Sequence, residues 1–169
     1  GEETEGGMSG GEITEDQKPL LAFLTAPGGL DGAKERAEVI DTACNHVLLA
    51  GERAYKLKRA IRYDYLDYGS RAKRNAAAAA EIRLNRRTAP HIYLGLAPVY
   101  CDKSGFRIGP LAEDGAIDPE AVEHLVVMRR FDERRTLDRL AAEGALEGPT
   151  VDRLADEVAR FQFHFLCPE

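Results

Sequence analysis

Tryptophan is missing from the 169 residues, and cysteine occurs only three times, as Cys44, Cys101 and Cys167. A sparse, odd set without CxxC spacing fits a reduced, cytoplasmic protein rather than a disulfide scaffold. No apolar run approaches the ~18 residues that a membrane span needs. No secretory apolar segment stands at the start. Positive charge is also short. Lys and Arg number 23 against 29 Asp and Glu, a net charge of -6. General nucleic-acid binding requires a basic field, so this balance argues against it while leaving a small anionic ligand open. Cys44-Asn45-His46 has no second cluster to complete a metal or nucleophile site.

What is present describes a folded chain. Hydrophobic residues make up 44% and charged residues 31%, enough for one domain with a real core, or one lobe and part of another. Residues 1–12, rich in Gly and Glu, read as a disordered arm, with Met8 as the expected start behind a tag remnant. Residues 13–131 read as the main unit and 132–169 as the start of a helical second one.

In chain order, Thr14 to Leu24 is an expected helix, with Leu20, Leu21 and Leu24 at helical spacing and Thr14 with Gln17 in capping-box form. Pro27-Gly28-Gly29 ends it. Val39 to Thr42 is extended. His46 to Ala50 and Arg53 to Ile61 are strands joined through Gly51, a hairpin signal. Ser70 is an N-cap for a long helix to about Thr88, built on the five alanines Ala76 to Ala80. Its expected stripe is Ala77, Ala80, Leu84 and Thr88, with Glu81 at the border. Strands follow at Ile92 to Tyr100, Phe106 to Leu111 and Val122 to Phe131. Two helices close the chain, from Asp132 to Gly144 and from about Thr150. The fold class is therefore α+β: an antiparallel sheet of about five strands packed on one long helix, followed by helices.

The run Ala54-Tyr55-Lys56-Leu57-Lys58 alternates, so Ala54, Lys56 and Lys58 share one strand face and Tyr55 and Leu57 the other. A lysine on a strand is ordinarily its solvated side. Here it is followed, in order, by Glu81 on a helix and by the buried strand Val122 to Phe131. A phosphoryl-transfer lobe of the kinase type needs a hairpin over the nucleotide, a strand lysine, a helix glutamate that pairs with it, and a buried strand running into a hinge.

On Ala54-Tyr55-Lys56-Leu57-Lys58-Arg59, Leu66-Asp67-Tyr68, the run Glu81 to Pro90, Ile92-Tyr93-Leu94-Gly95 and the run Val126 to Phe131, the chain resembles a known family. It is similar to the aminoglycoside-phosphotransferase-like domain of bacterial proteins that also carry a P-loop ATPase domain. The resemblance covers roughly Val39 to Phe161. It implies a kinase-like N-terminal lobe that binds ATP or GTP with Mg²⁺. Lys56 becomes the phosphate lysine, with Lys58 its rival on the same face, and Glu81 the ion-pair partner. Ala54 lies against the adenine, Val47 and Met128 belong to the nucleotide cleft, and Arg129 to Phe131 form the hinge.

Two departures limit what it implies. Thr42-Ala43-Cys44-Asn45 is not a glycine-rich phosphate loop. None of His46, His91, His124 and His164 begins the family's His-Gly-Asp-type catalytic loop, so a truncated lobe unable to transfer phosphate alone is expected. Its partners would be the nucleotide and the missing C-terminal lobe or a downstream P-loop ATPase domain. A non-catalytic nucleotide-binding or regulatory module, or an interaction domain self-associating through an exposed cleft face, are the alternatives.

Overall fold

In the computed structural model, residues 10–30 and 34–130 are described. The expected helices beyond Asp132, the unit 132–169 and Phe131 lie outside them. In chain order the elements are β1 (Glu12–Ile13), α1 (Lys18–Thr25), β2 (Glu38–Asp41), β3 (Asn45–Ala50), β4 (Arg53–Lys58) and β5 (Ile61–Arg62), then α2 (Arg71–Asn85), β6 (Tyr93–Asp102), β7 (Gly105–Ile108) and β8 (Glu123–Arg129).

Six strands form one antiparallel sheet in the order β2-β3-β4-β8-β6-β7, and β1 pairs with β5 in a separate two-stranded ladder. The β3–β4 turn uses Gly51 at φ 60°, a left-handed conformation that glycine adopts without a Cβ penalty. β4 lies in the middle, opposite β3 on one side and β8 on the other.

Each face of this sheet carries a core and a helix. Tyr55 and Leu57 pack with Leu20 and Leu24 of α1 and with Val99, Leu125 and Val127. Val47, Ala54, Val126 and Met128 pack with Ala78 and Ile82 of α2 and with Tyr93 and Leu96. The period-2 reading of β4 therefore holds, and both of its faces are buried. Such a strand needs a partner for any charge it carries, because an unpaired ion inside costs far more than a polar group.

Several sequence expectations are corrected. The first helix starts at Lys18, not Thr14. Thr14 is held elsewhere: its hydroxyl donates to the Gly69 carbonyl at 2.9 Å. Gln17 makes no cap bond and instead clamps the end of β4, donating to Lys58 O at 3.0 Å and accepting from Ala60 N–H at 2.8 Å. Glu12, expected within the arm, pairs with Arg62. The main sheet has six strands rather than five.

Ser70 caps α2 as expected, its hydroxyl accepting from Lys73 N–H at 3.2 Å. The buried stripe is not the expected one. It runs through Arg74, Ala78, Glu81 and Ile82, while Leu84 is 59% exposed. Arg74, fully buried, donates through Nε to Glu123 at 2.9 Å and through Nη1 to Tyr68 O at 2.9 Å, and it also pairs with Glu15. These contacts fix the rotation of α2 about its axis. Glu81 lies seven residues further on, two turns along the same face.

Candidate functional site

The strand alternation aims Ala54, Lys56 and Lys58 at α2, and the Arg74 anchorage turns Glu81 toward them. Lys56 Nζ lies 3.2 Å from Glu81 Oε2, and Lys58 Nζ lies 2.5 Å from Glu81 Oε1. One carboxylate thus serves two lysines, each on its own oxygen. Side-chain exposure is 0% for Lys56, 3% for Lys58 and 4% for Glu81. This burial places the Glu81 carboxylate inside the protein rather than on the helix surface. Asn85 does bond Glu81, but through the backbone carbonyl, at 2.9 Å.

A third donor converges from β6. The Tyr93 hydroxyl hydrogen-bonds Glu81, and burial followed by the Glu81 charge pushes its pKa far above the ordinary phenol value. Burial by itself would raise the Glu81 carboxyl, but Lys58 and then Lys56 outweigh it and hold the group below its ordinary range. For Lys56 burial dominates, assisted by the like charge of Lys58 and opposed by Glu81, so its pKa is lowered. The cluster is an ionised carboxylate between two lysines, and burial makes the Lys56 ammonium readier to give up its proton than a free lysine. The Lys58 ammonium also lies 5.7 Å from the Tyr68 ring centroid, within reach of a cation–π attraction.

The structure gathers Lys56, Glu81, Ala54, Val47 and Met128 on one sheet face. Lys56 stands opposite Val47 and Val126, and Ala54 opposite Met128. Val47, Ala54 and Met128 are fully buried, so they form no exposed apolar face. Arg129 ends β8 with an exposed side chain. Its backbone N–H donates to Ile92 O, and that of Arg130 to Glu52 O, each at 2.8 Å. Neither N–H is spare for the edge of a purine.

Two residues of the cluster escaped the sequence reading. Lys58 was a rival to Lys56 rather than a second member. Tyr93 stood in a quoted motif without a role, and only its burial on β6 reveals one. Arg86, the residue following α2, donates to Leu94 O at 3.0 Å, tying the end of α2 to β6. His46 pairs with Asp41 at 2.6 Å. Among the described residues no group of three or more His, Cys, Asp or Glu is placed to hold a metal. No helix among them is long and apolar enough to cross a membrane. A cavity of about 480 Å³, lined by Thr14, Gln17, His46, Arg59 and Ile61 among others, lies beside the N-terminal segment. Lys56 and Glu81 are not among its lining residues.

The chain is similar to the uncharacterized protein Rv2004c of Mycobacterium tuberculosis strain H37Rv, with 32% identity over 124 residues. The uncharacterized protein Mb2027c of Mycobacterium bovis matches to the same extent. The match takes in 73% of this chain but spans only 22% of the length of either relative. No family model and no solved structure matches.

Proposed function

We propose that the described residues form the nucleotide-gripping lobe of a kinase-like phosphotransferase, with Lys56 as the amine that meets the phosphates. The observation that carries this reading is the buried Lys56–Glu81 pair linking the third strand of the main sheet to the long helix. A buried lysine held by a helix carboxylate is what a phosphoryl-transfer lobe uses to keep its phosphate ligand extended. The sheet order adds support, because it sets the lysine strand between the hairpin strand β3 and the strand that ends at the expected hinge.

In this reading Lys56 donates hydrogen bonds to phosphate oxygens, and Glu81 orients it and offsets its charge. The purine sits on the same sheet face, beside Ala54, Val47 and Met128, where a side chain larger than alanine at 54 would fill the space. Because these residues are buried, binding is coupled to an opening of that face. A nucleoside triphosphate fits the amine. The described residues supply no carboxylate cluster for Mg²⁺, and no role toward it is assigned to them. The acceptor site and any transfer chemistry belong to a second lobe or to a downstream P-loop ATPase domain.

An acyl-phosphate ester of ATP, which acylates an amine held at the phosphates and releases the nucleotide, tests the assignment. Peptide mass spectrometry should find the label on Lys56, and excess MgATP should protect it. Labelling spread over surface lysines and indifferent to MgATP would overturn the reading, and protected labelling of Lys58 alone would move the site.

A further inference from the structure

We infer that Lys58 is the positioning residue of this site: it holds one oxygen of Glu81 so that Lys56, on the other oxygen, can turn to an anion without stranding the carboxylate. The inference rests on Lys56 being the phosphate amine and adds a member to that site. Lys58 Nζ is 2.5 Å from Oε1, whereas Lys56 Nζ is 3.2 Å from Oε2. Each ammonium therefore has a carboxylate oxygen of its own.

When Lys56 engages a phosphate, Glu81 loses part of its compensation while remaining 96% shielded from solvent at its side chain. A lone buried carboxylate costs several kcal/mol or picks up a proton. Either outcome would release the orientation of Lys56. Lys58 prevents both by supplying a second buried cation that does not leave. Two contacts hold it there. Its carbonyl accepts from the Gln17 side chain at 3.0 Å, and its ammonium faces the Tyr68 ring.

Among the described residues, the charged and titratable groups about Lys56 include Lys58 on its own strand, Glu81 on α2 and, through Glu81, Tyr93 on β6. Lys58 acts on Lys56 in two ways, both of the same sign. Its positive charge disfavours the ammonium form of Lys56, and its hold on Oε1 diverts carboxylate charge from Lys56. Without Lys58, Glu81 no longer divides its charge between two ammonium groups, and Lys56 is both harder to deprotonate and slower to leave.

The test follows the Lys56 ¹³Cε chemical shift against pH in the whole chain labelled with ¹³C-lysine, the resonance being assigned by its loss in Lys56→Arg. In Lys58→Met the Lys56 titration should move to higher pH, and in Lys58→Arg it should return toward the wild-type position. If Lys58→Met does not fold, Lys58→Gln, which keeps a hydrogen-bond donor without the charge, should give the same upward move. A Lys56 titration that stays in place in the folded neutral variant overturns the inference, as does an arginine variant that behaves like the methionine one. MgATP protection of Lys56 is measured on the same proteins and should weaken about tenfold in the neutral variant, the loss expected of one charge-assisted contact. Loss of protection already in the wild type, with the titration moving as described, would sink the phosphate reading while leaving the Lys58–Glu81–Lys56 coupling standing.

Discussion

Replacing Glu81 by glutamine keeps the volume of the side chain and removes the negative charge from between two buried ammonium groups. In the wild type Lys56 is wholly buried and Lys58 nearly so. Removing one partner of a buried ion pair costs about 3–5 kcal/mol, since the remaining charge keeps its desolvation penalty without the attraction. A glutamine carbonyl still accepts one hydrogen bond, so the lower part of that range applies to each lysine contact, and the two contacts are coupled rather than additive. Against a typical total of about 5–15 kcal/mol, this is a large share of the stability. With a urea slope of about 2 kcal/mol per molar, the unfolding midpoint should fall by roughly 2 M. The dependence on pH identifies the cause. In the variant, the burial of Lys56 is no longer opposed by Glu81, so its folded pKa is depressed further below the 10.5 of free lysine. Between that depressed value and 10.5 the unfolded chain binds more protons than the folded one, and stability rises with pH there. The deficit of Glu81→Gln should therefore narrow between pH 7 and pH 9.5, followed by circular dichroism in urea at each pH. A midpoint within about 0.3 M of wild type at pH 7, or a deficit that does not change with pH, would refute the placement of two charged lysines on Glu81.

Two further outcomes follow from other parts of the fold. Gly95 has φ 150° and a Cβ placed there would stand 2.4 Å from the Ala112 carbonyl oxygen, so Gly95→Ala should cost about 3 kcal/mol by backbone strain and overpacking. Gly51→Ala, with φ 60° and open space around it, should cost only about 1 kcal/mol; comparing the two urea midpoints checks the difference. His124 accepts the Asp118 N–H on Nε2 at 3.0 Å and meets Asn75 Oδ1 through Nδ1 at 2.9 Å, a pattern that needs the neutral ring. Burial, partly opposed by Asp118, lowers its pKa from the ordinary 6.5. Its contribution is complete above 6.5 and is lost as pH falls through the folded value, because the unfolded chain takes up the proton first. Thermal stability should therefore decline below pH 6.5 in the wild type and less so in His124→Gln.

The alternation of Ala54, Lys56 and Lys58 against Tyr55 and Leu57 was legible because a strand repeats every two residues whatever surrounds it. The start of α2 was legible for a similar reason: Ser70 reaches a backbone N–H only three residues away. Its buried face was not. Five consecutive alanines carry no preference for either side, and Leu84, which suggested the stripe, turned out to be exposed. The face was chosen by Arg74, whose partners Glu15 and Glu123 are 59 and 49 residues distant in sequence. Thr14 shows the same limit. Its spacing to Gln17 has capping-box form, yet a carbonyl 55 residues away takes its hydroxyl.

For the site, the order of lysine, glutamate and terminal strand could be read along the chain, and so could the shared face of the two lysines. That both reach one carboxylate, on separate oxygens, and that Tyr93 joins them, could not. Periodicity assigns a side chain to a face, because face depends on the local backbone. Which groups meet across that face depends on how far each helix is turned and slid over the sheet. Contacts between residues remote in sequence set that packing, and it alone brought Lys56, Lys58 and Tyr93 onto Glu81.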